Sequence, residues 1–132
     1  MSEQSVFDHL STYATDFERT RDFYSAALSP LGIRLVTETT SCDGNERVCA
    51  FGSGQRGQFW VIESSVAYTP RHLAFRAVSR QHVDQFYMAA LTAGGTDNGA
   101  PGIRPHYHAD YYGAFVIDPD GNDIEAVFHG GP

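Results

Sequence analysis

His9 and His72 stand 63 residues apart, and the same interval separates two near-copies of one phrase, "FYSAALSPLG" at 23–32 and "FYMAALTAGG" at 86–95. The offset also pairs Leu10 with Leu73, Asp16 with Ser79 and Gly32 with Gly95. Self-similarity at a fixed period marks one supersecondary unit used twice. A lone histidine in a strand is ordinarily a surface or a satisfied core residue. Two at equivalent places of a duplicated unit ask for a shared role, and Glu125 adds a carboxylate. Lying between Ile124 and Ala126, it is costly to bury without a partner, so it sits at a rim or is bound to something. Two imidazoles and one carboxylate make a facial-triad ligand set, which fixes three corners of an octahedron and leaves the others to water and substrate. Open positions imply catalysis or ligand chelation rather than a structural metal.

The elements that would present these groups follow from periodicity. "VFDHLSTY" and "RHLAFRA" are short alternating runs, read as the first strand of each unit. Thr15 or Asp16 in one copy and Ser79 in the other are N-cap candidates, with Thr15 and Glu18 able to form a capping box. Val83, Phe86, Tyr87, Ala90 and Leu91 fit a helical stripe, matched by Phe17, Tyr24, Leu28 and Leu31. The repeated phrase is therefore the packing face and exit of a helix, stopped by Pro30 and Gly32 or by Gly94 and Gly95. "GIRLVTETT", "RVCAFGS" and "GQFWVIES" read as strands of the first unit. In the second, the Gly/Pro-rich "GGTDNGAPGIRP" precedes "HYHADYYGAFVI", the "DPDGN" turn and "DIEAVF". Each unit reads β-α-β-β-β. Module one is expected over residues 5–65 and module two over 70–129, within a single domain 1–132, with "VAYTP" at 66–70 as the linker.

Alternation assigns faces. Leu73, Phe75 and Ala77 form an apolar row toward the helix, which turns His72 the other way. Ile124, Ala126 and Phe128 form the same row in "DIEAVF", leaving Glu125 on the face of His72, and Leu10 places His9 there by repeat. The helix-free, concave face of a curved sheet is the expected cavity.

Composition bounds the remaining possibilities. With 42% hydrophobic and 19% charged residues in a chain of 132, one ordinary globular domain is expected. A net charge of −7, with no run of cations, argues against nucleic acid and against an anionic membrane surface. There is no apolar run of spanning length, and "MSEQSVFDHL" lacks the features of a secretory leader, so a cytoplasmic location is expected. Cys42 and Cys49 flank the turn-like "DGNER" and are read as reduced thiols of a strand pair rather than a disulfide.

Over nearly its whole length the chain resembles the vicinal-oxygen-chelate superfamily, which includes glyoxalase I, extradiol dioxygenases, fosfomycin-resistance thiol transferases and bleomycin-resistance proteins. The stretches that carry the resemblance are "FDHLSTYATDFERTRDFYSAAL", "RHLAFRA" and "AFVIDPDGNDIEAVF". The resemblance implies an α+β fold of two tandem βαβββ modules forming a half-open mixed β-barrel with helices outside. It implies one divalent metal, Fe2+, Mn2+, Ni2+ or Zn2+, on His9, His72 and Glu125, and it implies a homodimer.

Glyoxalase-like members of that family add a glutamate from the last strand of module one, but the 63-residue offset lands Glu125 on Ile62. Glu63, next door, faces away unless the register slips by one, and is held as a further candidate ligand. Glu125 is also the candidate proton carrier. Trp60 would wall the pocket or sit in the core, and Arg104, His106, His108 and Tyr112 would contact substrate or form an exposed aromatic-rich segment. Two functions follow: a metal-dependent lyase or dioxygenase acting on a small oxygenated substrate, or a bleomycin-resistance-type protein that sequesters a small molecule without chemistry.

Overall fold

The computed structural model describes residues 5–130. The first four residues, on which the leader reading partly rests, lie outside them. Module one comprises β1 (Leu10–Ala14), α1 (Phe17–Ala27), a 3-10 turn (Ser29–Leu31), β2 (Arg34–Thr40), β3 (Arg47–Gly52) and β4 (Phe59–Glu63). Module two comprises β5 (His72–Arg76), α2 (Arg80–Thr92), β6 (Thr96–Ile103), β7 (Tyr112–Ile117) and β8 (Asp123–Phe128). Each module makes one four-stranded mixed sheet, ordered β1-β4-β3-β2 and β5-β8-β7-β6. The first and last strands of each module pair in parallel, and the remaining pairs are antiparallel. This is the tandem βαβββ architecture with the helices on one side of the sheets. No helix among the described residues is long and apolar enough to cross a membrane.

The helix starts are set by side-chain caps. Asp16 accepts the amide of Arg19 and Ser79 that of His82, so each satisfies a donor the first turn leaves free. Thr15 makes no capping box, because its amide and hydroxyl both donate to Asp120 of module two. Gly32 ends the 3-10 turn at φ 76°, a left-handed conformation that glycine adopts without penalty.

Two expectations shift. The first strand begins at Leu10 rather than Val6, because its partner β4 begins at Phe59, opposite Leu10, and only Gln58 receives a further hydrogen bond, from the Leu10 amide. Val6 and Phe7 stay exposed. The passage "TDNGAPGI" is itself strand β6, an edge strand that tolerates Pro101 and carries two register shifts, with Gly99 at φ 148°. His106 and His108 consequently lie in the loop 104–111, before β7, and the Arg104 amide closes that loop on the Tyr111 carbonyl at 2.7 Å.

One core serves both modules. Phe23 and Tyr24 of α1, Leu28 at its C-cap and Val83, Phe86 and Ala90 of α2 join Phe51, Val61, Val116 and Ile124 from the sheets. Phe59 and Phe75 meet across the modules edge to face at 5.3 Å. The "DPDGN" turn clasps α1: Asp120 accepts from the Thr15 amide and from the hydroxyls of Thr15 and Thr20, and buried Asp118 accepts from the Tyr24 hydroxyl. These bonds fix how one module sits on the other.

Candidate functional site

In β8, Ile124 and Ala126 face the core, so Glu125 points to the opposite side of the sheet, where the register sets it between Ala74 of β5 and Phe115 of β7. Although it lies on the helix-free face, Glu125 is only 1% exposed. A buried carboxylate needs partners for both oxygens. Oε1 faces Nε2 of His72 at 2.9 Å, and Oε2 accepts the hydroxyl of Tyr111. Asp123 adds a second carboxylate 4.0 Å from the same His72 nitrogen. The His72 side chain remains 56% exposed, while that of Glu125 beside it is 2% exposed.

Burial, the hydrogen bond to Glu125 and the charge of Glu125 raise the Tyr111 phenol pKa above its usual range, and the phenol therefore stays protonated and donating at neutral pH. Gly113 makes room beneath it: a Cβ there would stand 3.2 Å from Tyr111 Cε1 and 3.4 Å from Glu125 Oε2. Phe115 flanks the His72 ring at 6.3 Å, and the Arg104 guanidinium lies 5.4 Å over Phe115. Arg104 is anchored on its own strand end, donating to the carbonyls of Gly102 and Ala100 at 2.9 and 2.7 Å. It reaches the site through Phe115.

His9 is in a different place. It lies just before β1, where Nδ1 donates to Asp8 Oδ1 at 2.7 Å, so Nε2 is the ring nitrogen not engaged by Asp8. That bond and the neighbouring Arg56 hold the Asp8 carboxyl below the usual range. His9 shares an open depression of about 370 Å³ with Ser11, Cys42, Trp60 and Ile62 on the helix-free face of the first sheet. Among the described residues no three His, Cys, Asp or Glu side chains converge as a metal site. His72 and Glu125 are brought together within the chain; His9 is not brought to them.

Strand pairing corrects the repeat offset. Ser11 pairs with Trp60, whereas its repeat equivalent Ala74 pairs with Glu125, so Trp60, not Ile62, holds the place of Glu125 in module one. His9 and Trp60 thus repeat the relation of His72 and Glu125, with an indole where the carboxylate would be. Trp60 is half-buried in the depression, outside the core. Glu63 shares the row of Phe59 and Val61, and its Oε1 accepts the Arg47 amide at 3.1 Å.

Tyr112 also departs from expectation. It faces α2, where its hydroxyl donates to Asp84 at 2.7 Å and the Arg80 guanidinium covers its ring. Tyr111, one residue earlier, is the tyrosine at Glu125. The available signal was Gly113, which shares the Glu125 face by alternation. His108 hydrogen-bonds His129 at 2.8 Å beside Tyr111, and the His106 ring lies tilted against Tyr107 at 4.2 Å. Asp8, Asp123 and His129 were not singled out by sequence. Cys42 and Cys49 are free thiols, one exposed and one buried.

The model of the Glyoxalase/Bleomycin resistance protein/Dioxygenase superfamily matches residues 6–126, and the chain belongs to that family. A glyoxalase/bleomycin resistance protein from Albidiferax ferrireducens T118 is 28% identical, with TM-score 0.75 over 94% of this chain and 98% of that one. A glyoxalase I mutant from Zea mays is 20% identical, with TM-score 0.71, over 92% of this chain and 46% of that one. A glyoxylase/bleomycin resistance protein/dioxygenase domain from Frankia sp. EAN1pec is 15% identical, with TM-score 0.73, over 96% and 93%. At those identities the last two speak for the fold alone. No curated protein sequence matches significantly.

Proposed function

We propose that this protein is a divalent-metal-dependent enzyme that chelates a small oxygenated substrate on His9, His72 and Glu125. The observation that carries this reading is a buried carboxylate oxygen 2.9 Å from the Nε2 of a histidine whose side chain is more than half exposed. Ligand atoms about 2.1 Å from one ion and adjacent on an octahedron stand about 3 Å apart, so the two donors fit a common metal without rearrangement. A proton now lies between them, and an ion would take its place. Fe2+, Mn2+, Ni2+ or Zn2+ bound there would act as a Lewis acid, stabilising negative charge that develops on a substrate oxygen.

The residues of this chain supply the rest. Asp8 holds His9 Nδ1 and so orients the ring, Tyr111 holds the second oxygen of Glu125, and Trp60 offers an aromatic wall. Glu125 is the carboxylate able to carry a proton once substrate is bound. Because His9 stands apart from the other two ligands, we infer a homodimer in which His9 of one copy completes the site of the other. Support comes from β1 and β5, which carry or follow the two histidines and are both outer strands of their sheets. The place of a fourth ligand is taken by Trp60, which favours three protein ligands with open positions.

The meeting of only two ligands within one chain favours a second reading, a binding protein whose concave face holds a small molecule without chemistry. Metal analysis after reconstitution, on wild type and His72→Ala, separates the two. The enzyme reading expects near-stoichiometric metal in the wild type and little in the variant. Equal and negligible metal in both would leave the binding protein.

A further inference from the structure

Each oxygen of Glu125 is engaged by a different part of module two, Oε1 by His72 and Oε2 by Tyr111. Tyr111 ends the loop 104–111, and the loop holds that phenol firmly. Its carbonyl accepts the Arg104 amide at 2.7 Å, and its amide donates to the His108 carbonyl at 3.2 Å. Three rings surround it, Tyr107 at 4.7 Å, His129 at 5.2 Å and His108 at 5.5 Å. His108 has a defined tautomer. Its Nδ1 accepts the Asp110 amide at 3.1 Å, so the proton sits on Nε2, which donates to Nδ1 of His129 at 2.8 Å. That hydrogen bond ties the two imidazoles together beside the phenol.

We propose that Tyr111 is a positioning residue for the metal site: its hydroxyl holds Oε2 of Glu125 so that the carboxylate offers an ion Oε1 alone, beside His72 Nε2, and the His108–His129 pair braces the phenol there. This rests on the metal-site reading above and adds residues that do not touch the ion. A carboxylate free to rotate can take a metal through both oxygens or turn away from it. A hydrogen bond to the distal oxygen removes those alternatives in advance, and loss of such outer partners weakens metal binding about 10–100-fold.

The test is the affinity for Mn2+ and Zn2+, by chelator competition, of wild type, Tyr111→Phe, His129→Gln, the double variant and His72→Ala, with thermal melting of each metal-free protein. Phenylalanine keeps the packing among the three rings and deletes only the hydroxyl. The expected result is a loss of about 10–100-fold in Tyr111→Phe, with a lowered Tm because Oε2 of buried Glu125 loses its donor. A smaller loss is expected in His129→Gln, with none added in the double variant. If Tyr111→Phe fails to fold, His129→Gln carries the comparison, since it leaves Tyr111 and Glu125 in place. Wild-type affinity in Tyr111→Phe, with metal lost in His72→Ala, overturns the positioning role and leaves the site standing. If wild type and His72→Ala alike take up neither ion, the metal site itself fails and the positioning role falls with it.

Discussion

The phenol of Tyr24, in α1 of module one, donates a hydrogen bond to Asp118, in the turn that precedes β8 of module two. Both groups are buried, and Asp118 also accepts the amides of Asp120 and Asn122 and the Asn122 side chain. Glu125 follows this turn directly, so the clasp that joins the modules also sets the start of the strand carrying the site. A hydrogen bond to a charged group contributes about 1.5–3 kcal/mol, and Tyr24→Phe is expected to lose that much. Asp118→Ala should lose more, because it strands several buried donors. Urea denaturation reads both, and a Tyr24→Phe midpoint equal to wild type would show the clasp to be energetically idle.

Alkaline pH should weaken the fold with an identifiable cause. The chain has no lysine, its nine cationic residues all being arginine, so the side chains that titrate around pH 9–11 are cysteines and tyrosines. Burial pushes the Cys49 thiol up to about 11 from 9.0, and burial with the charge of Asp118 raises Tyr24 well above its usual value. A pKa raised in the folded state gives stability that is complete below the unfolded value and is lost as pH climbs through the folded one. For Cys49 the window is pH 9.0 to about 11, with a loss of order 2 kcal/mol. Denaturation midpoints from pH 7 to 11 should fall less steeply for Cys49→Ala than for wild type; parallel curves would rule out the thiol as the cause.

Gly113 gives a test of crowding at the site that leaves its chemistry in place. An alanine methyl there would press on Tyr111 Cε1 at 3.2 Å and sit 3.4 Å from Glu125 Oε2. The ring must move by a few tenths of an ångström, loosening its hold on the carboxylate. Gly113→Ala is expected to bind Mn2+ several-fold more weakly, with stability within about 1 kcal/mol of wild type. Isothermal titration calorimetry and melting together decide it, and unchanged affinity would mean that the loop absorbs the methyl.

Alternation made the pairing of His72 with Glu125 legible, because a two-residue period leaves no choice of face once Leu73 and Ile124 are assigned to the core. The helices were legible from their stripes and caps for the same reason, each signal being local. What stayed hidden depended on partners distant in the chain. Strand β6 reads as a loop because its glycines and Pro101 suit a bulged edge, which only β7 reveals. Tyr111, not Tyr112, reaches Glu125 because the Arg104 amide closes the loop and sets where β7 begins. Trp60 holds the place of Glu125 because the distance between the first and last strands of the modules differs by two residues, which a constant offset misses. The repeat aligned His9 with His72 in sequence, but equivalence under a repeat is not proximity.

That separation yields the most direct test of how the site is assembled. If His9 of one copy serves His72 and Glu125 of another, His9→Ala and His72→Ala should each abolish metal binding alone yet complement one another. In a mixed dimer one site carries both lesions and the other is intact. Co-refolding equal amounts should therefore restore roughly a quarter of the wild-type sites, as expected for statistical exchange of a twofold-symmetric pair. Metal content per chain, measured with light scattering on the same sample, gives the answer. Dimers that remain metal-free after exchange would mean that His9 does not reach across, and the three-ligand site would then have to be given up in favour of His72 and Glu125 alone.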